Sequence, residues 1–537
     1  MNMRKTALLN GKIRTPQGYV RAMLVEGQTI ALLGTSEEVA GAGGEAEKID
    51  LGGRLCLPGF IDGHMHFIAY ALSLEQIGLN GCRSVQEVRS RLKTFLDHEK
   101  PPQGSWVVGR GWNHELFDDG RIFEREDIDG LTPDNPVILT RVCGHVAVLN
   151  TRALEALGIG SGSRFPGGVV DLDEKGVPTG VVRETVVEWV HSRRPLPGPD
   201  KLRDLVARAG KRASEAGLTS VHSDDLGSVG GNWQGIIDLY MGLDREGKMP
   251  LRVTEQLLLR DRPALDAFLF SGWRTGDGSP FFHIGPLKIL TDGSMGGRTA
   301  YLKEEYSDMP GAFGVPIYRA EELDGLASAA HRAGMQIAMH AIGDGALDMC
   351  LDALEKAMSE KDRDARHYIV HCQMGCMEQY RRMARLAIGA AIQPPFVPSD
   401  RPMAIRRVGE RRALSGYAWK TLKDLGIFLS GGSDCPVESF DPLWGIQAAV
   451  TRQDRSGFPR GGWNPSQKLT VAEAVDLYTA GGAYASFEEH RKGSLEAGKY
   501  ADLVVLDRDI FTFSPEEIGD VRVCLTMAGG RITAGSI

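Results

Sequence analysis

Two histidines one residue apart, His64 and His66, close the stretch Leu57-Pro58-Gly59-Phe60-Ile61-Asp62-Gly63-His64-Met65-His66. In an extended strand, residues i and i+2 face the same side, so the two imidazoles project together. Imidazole is the commonest metal ligand, and a converging pair at a strand end makes half of a metal site. Two surface histidines close by chance are the plain alternative, and an isolated pair would leave it favoured. The flanking residues tip the balance. Gly59 and Gly63 allow close backbone approach, and Asp62 offers an acceptor for an imidazole N–H.

Four further residues sit where an apolar run meets a loop. Lys288 lies in Gly285-Pro286-Leu287-Lys288-Ile289-Leu290-Thr291-Asp292-Gly293. Burial lowers the pKa of an ammonium, and a neutral lysine can take up CO2 to give a metal-bridging carbamate. A salt bridge from Lys288 to Asp292 is the plainer account, and spacing alone favours it. His340 ends Gln336-Ile337-Ala338-Met339-His340, and His371 ends His367-Tyr368-Ile369-Val370-His371. A lone histidine there is more often a hydrogen-bonded core residue than a ligand. Two of them beside the His64/His66 pair reverse those odds, while His367 falls at the opposite end of its strand and is left out. Asp434, after Leu429-Ser430-Gly431-Gly432-Ser433, could ligate a metal and take a proton from an attacking water. Taken alone it reads as a turn or helix cap.

These positions need strands to hold them. Apolar strand-like runs alternate with helical stretches at Leu218–Ser223, Leu251–Leu258, Gly285–Leu290, Gln336–His340, His367–His371, Gly389–Gln393 and Ile427–Gly431. With the strand ending at His64 there are eight, which predicts an α/β fold with a closed, TIM-like (β/α)8 barrel and its site at the C-terminal strand ends. The segment at about 72–202 is too long for one crossover and is expected to be an insertion covering the barrel mouth. Strand and turn signals before residue 57 and after residue 480 predict a β-sandwich built from both termini, in parts 1–56 and 481–537, around a barrel over 57–480.

The 537 residues exceed one ordinary domain, and 42% hydrophobic with 25% charged content is that of a globular protein. A net charge of -8 gives no basic footprint for nucleic acid, and no apolar run reaches a membrane span. The apolar patch after Met1 is too short for a signal peptide. Eight scattered cysteines make no disulfide framework, which fits a reducing cytoplasm. Cys372 and Cys376 lack a second pair to complete a zinc knuckle. Cys372 and Cys435 are expected to pack behind the ligands. The arginines from Arg406 to Arg412 read as a solvated helix face or as part of a homo-oligomer contact.

The order His-x-His, Lys, His, His and Asp on successive strands resembles the amidohydrolase superfamily. Lys288 to Asp292-Gly293, His340-Ala341-Ile342-Gly343-Asp344 and Ser433-Asp434-Cys435-Pro436 look like its YtcJ-type branch, which includes N-substituted formamide deformylases. The tail from Gly493-Ser494-Leu495 to Ala501-Asp502-Leu503 resembles the superfamily's returning β domain. The resemblance implies one or two divalent ions, usually zinc. His64, His66 and Asp434 would hold one ion, His340 and His371 the other, and a carboxylated Lys288 would bridge them. It implies hydrolysis of an amide-type carbon–nitrogen bond in a small-molecule substrate, a linear or N-substituted amide. Metal-activated hydroxide would attack, with Asp434 moving the proton. His145 and Glu184 look like mouth residues of the same branch, and Arg298, on the glycine-rich loop after Lys288, could clamp a substrate carboxylate. A structural salt bridge is an equal alternative for each of the three. Cyclic amidase, deaminase or esterase chemistry, or a barrel that binds without catalysis, are the rival functions.

Overall fold

The computed structural model describes residues 5–142, 144–165 and 168–537. The chain divides into two units, one of residues 1–70 and 203–537, the other of residues 71–202.

The larger unit is built on eight parallel strands: β1 (Phe60–Met65), β2 (Leu218–Ser223), β3 (Arg252–Leu258), β4 (Phe282–Leu290), β5 (Ile337–Ala341), β6 (Tyr368–His371), β7 (Gly389–Ile392) and β8 (Leu429–Gly431). They pair in chain order from β1 to β8. No ladder closes the ring between β8 and β1 among the described residues, but the two ends are pinned in another way. The Asp434 N–H donates to the His64 carbonyl at 2.8 Å, and Ser433 donates both its N–H and its hydroxyl to Asp62 at 3.1 and 2.6 Å. Glycine makes the approach: a Cβ on Gly63 would fall 2.8 Å from Ser430 Oγ, and one on Gly432 would fall 2.5 Å from the His64 nitrogen. The strands β1, β3, β6 and β7 are buried along their whole length, as strands of a parallel sheet covered on both faces are. Helices follow the strands, among them Trp233–Arg245 after β2, Ala320–Arg332 after β4 and Asp344–Glu360 after β5.

Both chain ends supply the accessory sheets. One has six strands in the order Arg531–Gly535, Val523–Ala528, Leu503–Leu506, Leu55–Pro58, Lys12–Thr15 and Gly18–Val20; the other has four, Thr29–Gly34, Ala22–Glu26, Lys5–Leu9 and Glu47–Asp50. Their inner faces share one core, with Leu8, Met23 and Ile30 packed against Leu503, Val505 and Leu525. Leu55–Pro58 belongs to this sheet and passes through Gly59 directly into β1. At the opposite end of the barrel from the histidines, Arg252 forms a fully buried bidentate pair with Asp502, at 2.8 and 3.0 Å.

The smaller unit holds a six-stranded sheet in the order Gly168–Leu172, Pro178–Glu184, Val146–Leu149, Val137–Arg141, Val107–Trp112 and Ile77–Gly78. It has apolar clusters of its own, one around Trp112, Phe123 and Leu92, the other around Leu149, Val182 and Val190. No helix among the described residues is long and apolar enough to cross a membrane.

Candidate metal centre

The strand ends bring His64, His66, Lys288, His340, His371 and Asp434 together. His64 and His66 leave β1 with ring centroids 5.4 Å apart; His371 is 5.7 Å from His64, and His340 is 4.6 Å from His371. Asp434 Oδ1 lies 3.0 Å from His66 Nε2 and 3.5 Å from His64 Nε2. Ligand atoms of His64, His66 and Asp434 all fall within 4.8 Å of one another. Lys288 Nζ completes the ring, 3.3 Å from His64 Nε2.

The far nitrogens of three of these imidazoles are already occupied. His64 Nδ1 meets Gln256 Oε1 at 2.8 Å, His66 Nδ1 meets the Asp224 carbonyl at 2.8 Å, and His371 Nδ1 meets Gln393 Oε1 at 2.8 Å. A carbonyl can only accept, so His66 must donate from Nδ1. The amides follow the same rule, because Gln256 Nε2 is spent on the Gly63 carbonyl and the Tyr368 hydroxyl, and Gln393 Nε2 on the Ala391 carbonyl. Nδ1 of each of these three rings is therefore the outward donor, and Nε2 is the atom aimed at the centre, the arrangement a metal ligand needs. Asp434 Oδ1 is buried and accepts no aligned hydrogen bond. The donor set of imidazole nitrogens and one carboxylate suits a divalent transition ion, zinc in particular. These residues fit the group.

Burial sets the proton affinities. It pushes His64 well below the usual imidazole value, with the Lys288 charge adding to it, and takes His371 down to about 3. His66 is pushed down by burial too, yet the close approach and negative charge of Asp434 bring it up to about 9. Burial acts to raise Asp434, but the close approach of His66 and the charges of His66, His371 and His64 hold it below the carboxylate range. Burial lowers Lys288, with Asp224 and Asp434 opposing.

Backbone geometry aims two of these side chains. Asp434 has φ 58°, and His371 and Cys372 have φ 72° and 48°, left-handed values that non-glycine residues adopt sparingly. Each marks an abrupt turn where strand becomes loop.

The expectations for Asp62, Asp292 and the arginine stretch need correction. Asp62 accepts no imidazole N–H; its carboxylate receives the His64 and Ser433 backbone N–H groups and the Ser433 hydroxyl. Asp292 is not the partner of Lys288. It takes the N–H groups of Tyr301, Ile342 and Gly343, and the carboxylate nearest to Lys288 is Asp224, 3.6 Å away. The arginine stretch is only partly solvated: Arg407 pairs with Asp308, and Arg412 donates to the Glu304 carbonyl, tying their helix to the loop after β4. Arg298 is in the same network, bidentate to Asp308 at 3.1 and 3.0 Å. His145 and Glu184 meet each other at 3.0 Å in the smaller unit, and both are more than half exposed. His367, left out of the site, bonds to His331 and to the Ile337 N–H in the core.

Gln256, Gln393, Asp224 and Glu255 escaped sequence reading. The one signal for them was the polar pair Glu255-Gln256 within the strand-like run that ends at Leu257-Leu258.

A parallel barrel that gathers four imidazoles, a buried lysine and an aspartate at its C-terminal strand ends defines a metal-dependent hydrolase of the barrel type. Residues 47–534 match the model of the amidohydrolase family, and the chain belongs to that family. It is a hydrolase acting on carbon–nitrogen bonds. The sequence is 35% identical over 529 residues to YtcJ of Bacillus subtilis (strain 168), named as an amidohydrolase, with 96% of this chain and 98% of that protein covered. It is 28% identical over 553 residues to N-substituted formamide deformylase of Arthrobacter pascens, covering 98% of each. A solved metal-dependent hydrolase from Pyrococcus furiosus superposes with a TM-score of 0.79 at 29% identity, covering 95% of this chain and all of that one.

Proposed function

We propose that this protein hydrolyses a linear or N-substituted amide, with zinc at the barrel mouth. The observation that carries this reading is the inward set of Nε2 atoms from His64 and His66 around the unpartnered Asp434 Oδ1. The likeness to an N-substituted formamide deformylase supports the substrate class. His64, His66 and Asp434 would hold one ion, and His340 and His371 a second. Lys288, buried and with its pKa lowered by that burial, would join them after its neutral nitrogen bonds to the carbon of CO2 and gives up one proton, leaving an anionic carbamate. Bound metal supplies Lewis-acid polarisation of the scissile carbonyl and acidifies water. Asp434 accepts the proton of the attacking water and returns it to the departing nitrogen. The Gln256, Asp224 and Gln393 contacts keep the imidazoles in place while charge develops. The free thiols of buried Cys56, Cys350 and Cys372 support a reducing cytoplasm as the setting.

The test is metal analysis of purified protein, followed by assay of N-substituted formamides, acyl amides and N-acyl amino acids. Formate or carboxylate released with an amine is the expected outcome. Zinc-loaded protein that leaves all of these intact but opens cyclic amides, deaminates rings or cleaves esters would overturn the substrate class.

A further inference from the structure

His66 leans on a peptide group rather than on a side chain. Its Nδ1 meets the carbonyl of Asp224 at 2.8 Å. The N–H of that same peptide belongs to Asp225, and it donates to Glu255 Oε1 at 3.2 Å. One planar amide therefore stands between an imidazole and a carboxyl group, with its acceptor end on His66 and its donor end on Glu255. Hydrogen bonds in series through an amide polarise one another.

The surroundings leave this amide little freedom. Glu255 and Asp225 are fully buried. The Asp225 carboxylate receives the Ile68 N–H at 2.7 Å and the Tyr240 hydroxyl at 2.6 Å, so the residue beyond the amide is fixed at two points. The Asp224 N–H donates to the Met65 carbonyl at 2.9 Å, which fixes the residue before it. Glu255 Oε2 makes no aligned hydrogen bond; the carboxyl faces that of Asp225, and its Oε1 receives the amide N–H. Next in sequence, Gln256 holds His64 Nδ1. The pairing of β3 with β4 shifts register between Glu255 and Leu257, a local irregularity of the kind that re-aims side chains beside active sites.

We infer that Glu255 is a positioning residue for the metal centre: through the Asp224–Asp225 peptide it orients His66, as its neighbour Gln256 orients His64. Two consecutive residues of one strand would then set both imidazoles of the His64/His66 pair. The inference rests on the reading of these histidines as metal ligands. Burial and the Asp225 and Asp224 charges hold Glu255 well above the usual carboxylate range, so its role is that of a neutral acceptor, one that a glutamine can fill.

The experiment is zinc affinity of the full chain, stripped of metal and titrated with zinc alone in competition with a chromophoric chelator. Glu255→Leu should bind zinc about 10–100-fold more weakly, the range for losing an outer support of a ligand. Glu255→Gln should stay within about 3-fold of the parent, since it keeps the acceptor. In a His66→Ala background, Glu255→Leu should cost nothing further, because its effect passes through His66. Three results overturn the inference: unchanged affinity in a folded Glu255→Leu, a loss of about tenfold in Glu255→Gln, or the same fold-loss with His66 absent. The glutamine variant is nearly isosteric and decides the matter even if the leucine variant does not fold. A parent chain that binds no zinc would sink the metal-centre reading itself, whereas a tight parent with indifferent variants sinks only the role of Glu255.

Discussion

Asp292 Oδ1 and His340 Nδ1 stand 3.0 Å apart, in ion-pair range but not aligned as a hydrogen bond. The same carboxylate collects three backbone N–H groups from the loops after β4 and β5. It is a clasp for two loops that also faces a ligand-type histidine. Removing it would leave buried donors without an acceptor, each worth about 1–3 kcal/mol. Asp292→Ala is expected to lower unfolding free energy by about 3 kcal/mol or more and to reduce bound metal. Urea denaturation and elemental analysis read the two effects, and an unchanged midpoint would refute the clasp.

Asp292 is engaged elsewhere, and the carboxylate that faces Lys288 is Asp224. Lys288→Ala is expected to lose metal and most activity, and added formate or acetate should restore part of both by filling the bridging position. Lys288→Arg should not respond, since guanidinium forms no carbamate and keeps its charge. Electron density beyond Nζ in a metal-loaded crystal is the direct reading. A bare ammonium in an active, loaded enzyme would count against the carbamate.

How far the sequence reaches depends on the range of the interaction. The barrel strands are legible because each is a short apolar run between loops, and Leu218–Ser223 has the bounds expected of it. The bounds drift where neighbours decide them: β4 starts at Phe282 rather than Gly285, and β8 shrinks to Leu429–Gly431. The histidines stand out by their position at strand ends. Their supports do not, since Gln256 lies 192 residues from His64 and Asp224 offers a backbone carbonyl that any residue would carry. Asp62 misled for a related reason. It sits beside His64 in sequence, yet its oxygens are drawn to Ser433, 371 residues away.

Gly432→Ala tests the contact between β1 and the loop after β8. The added Cβ would meet the His64 nitrogen at 2.5 Å and its carbonyl oxygen at 2.8 Å, both backbone atoms that cannot rotate aside. Overpacking of this kind typically costs about 1–3 kcal/mol. A lower melting temperature together with weaker zinc binding is expected, because the displaced segment carries Asp434. Full zinc affinity in the variant would contradict that coupling.

Glu488 gives a pH signature away from the metal. It is buried with Lys492 Nζ at 2.6 Å and His283 Nδ1 at 3.7 Å. Burial acts to raise it, but Lys492 and His283 bring it down to about 2 from the usual 4.5. A depressed carboxyl contributes stability that is complete above pH 4.5 and disappears as pH falls through about 2. Glu488→Gln, which leaves Lys492 buried and unpaired, is expected to cost roughly 3–5 kcal/mol at neutral pH and progressively less below pH 4.5. Unfolding curves over that acid range should converge; parallel curves would show that the pair does not govern the dependence.

The strand Leu55–Pro58 that feeds β1 is paired on one side with Leu503–Leu506. On a ribosome this sets a schedule. At about 5–20 residues per second, the later strand emerges on the order of half a minute or more after the earlier one. For that interval the segment leading into His64 has an open edge, and it is guarded by whatever the nascent chain or a chaperone offers. On the proposed reading of His64 and His66 as metal ligands, their site is assembled only once the later strand has arrived, so metal would be taken up by the finished chain rather than by the growing one.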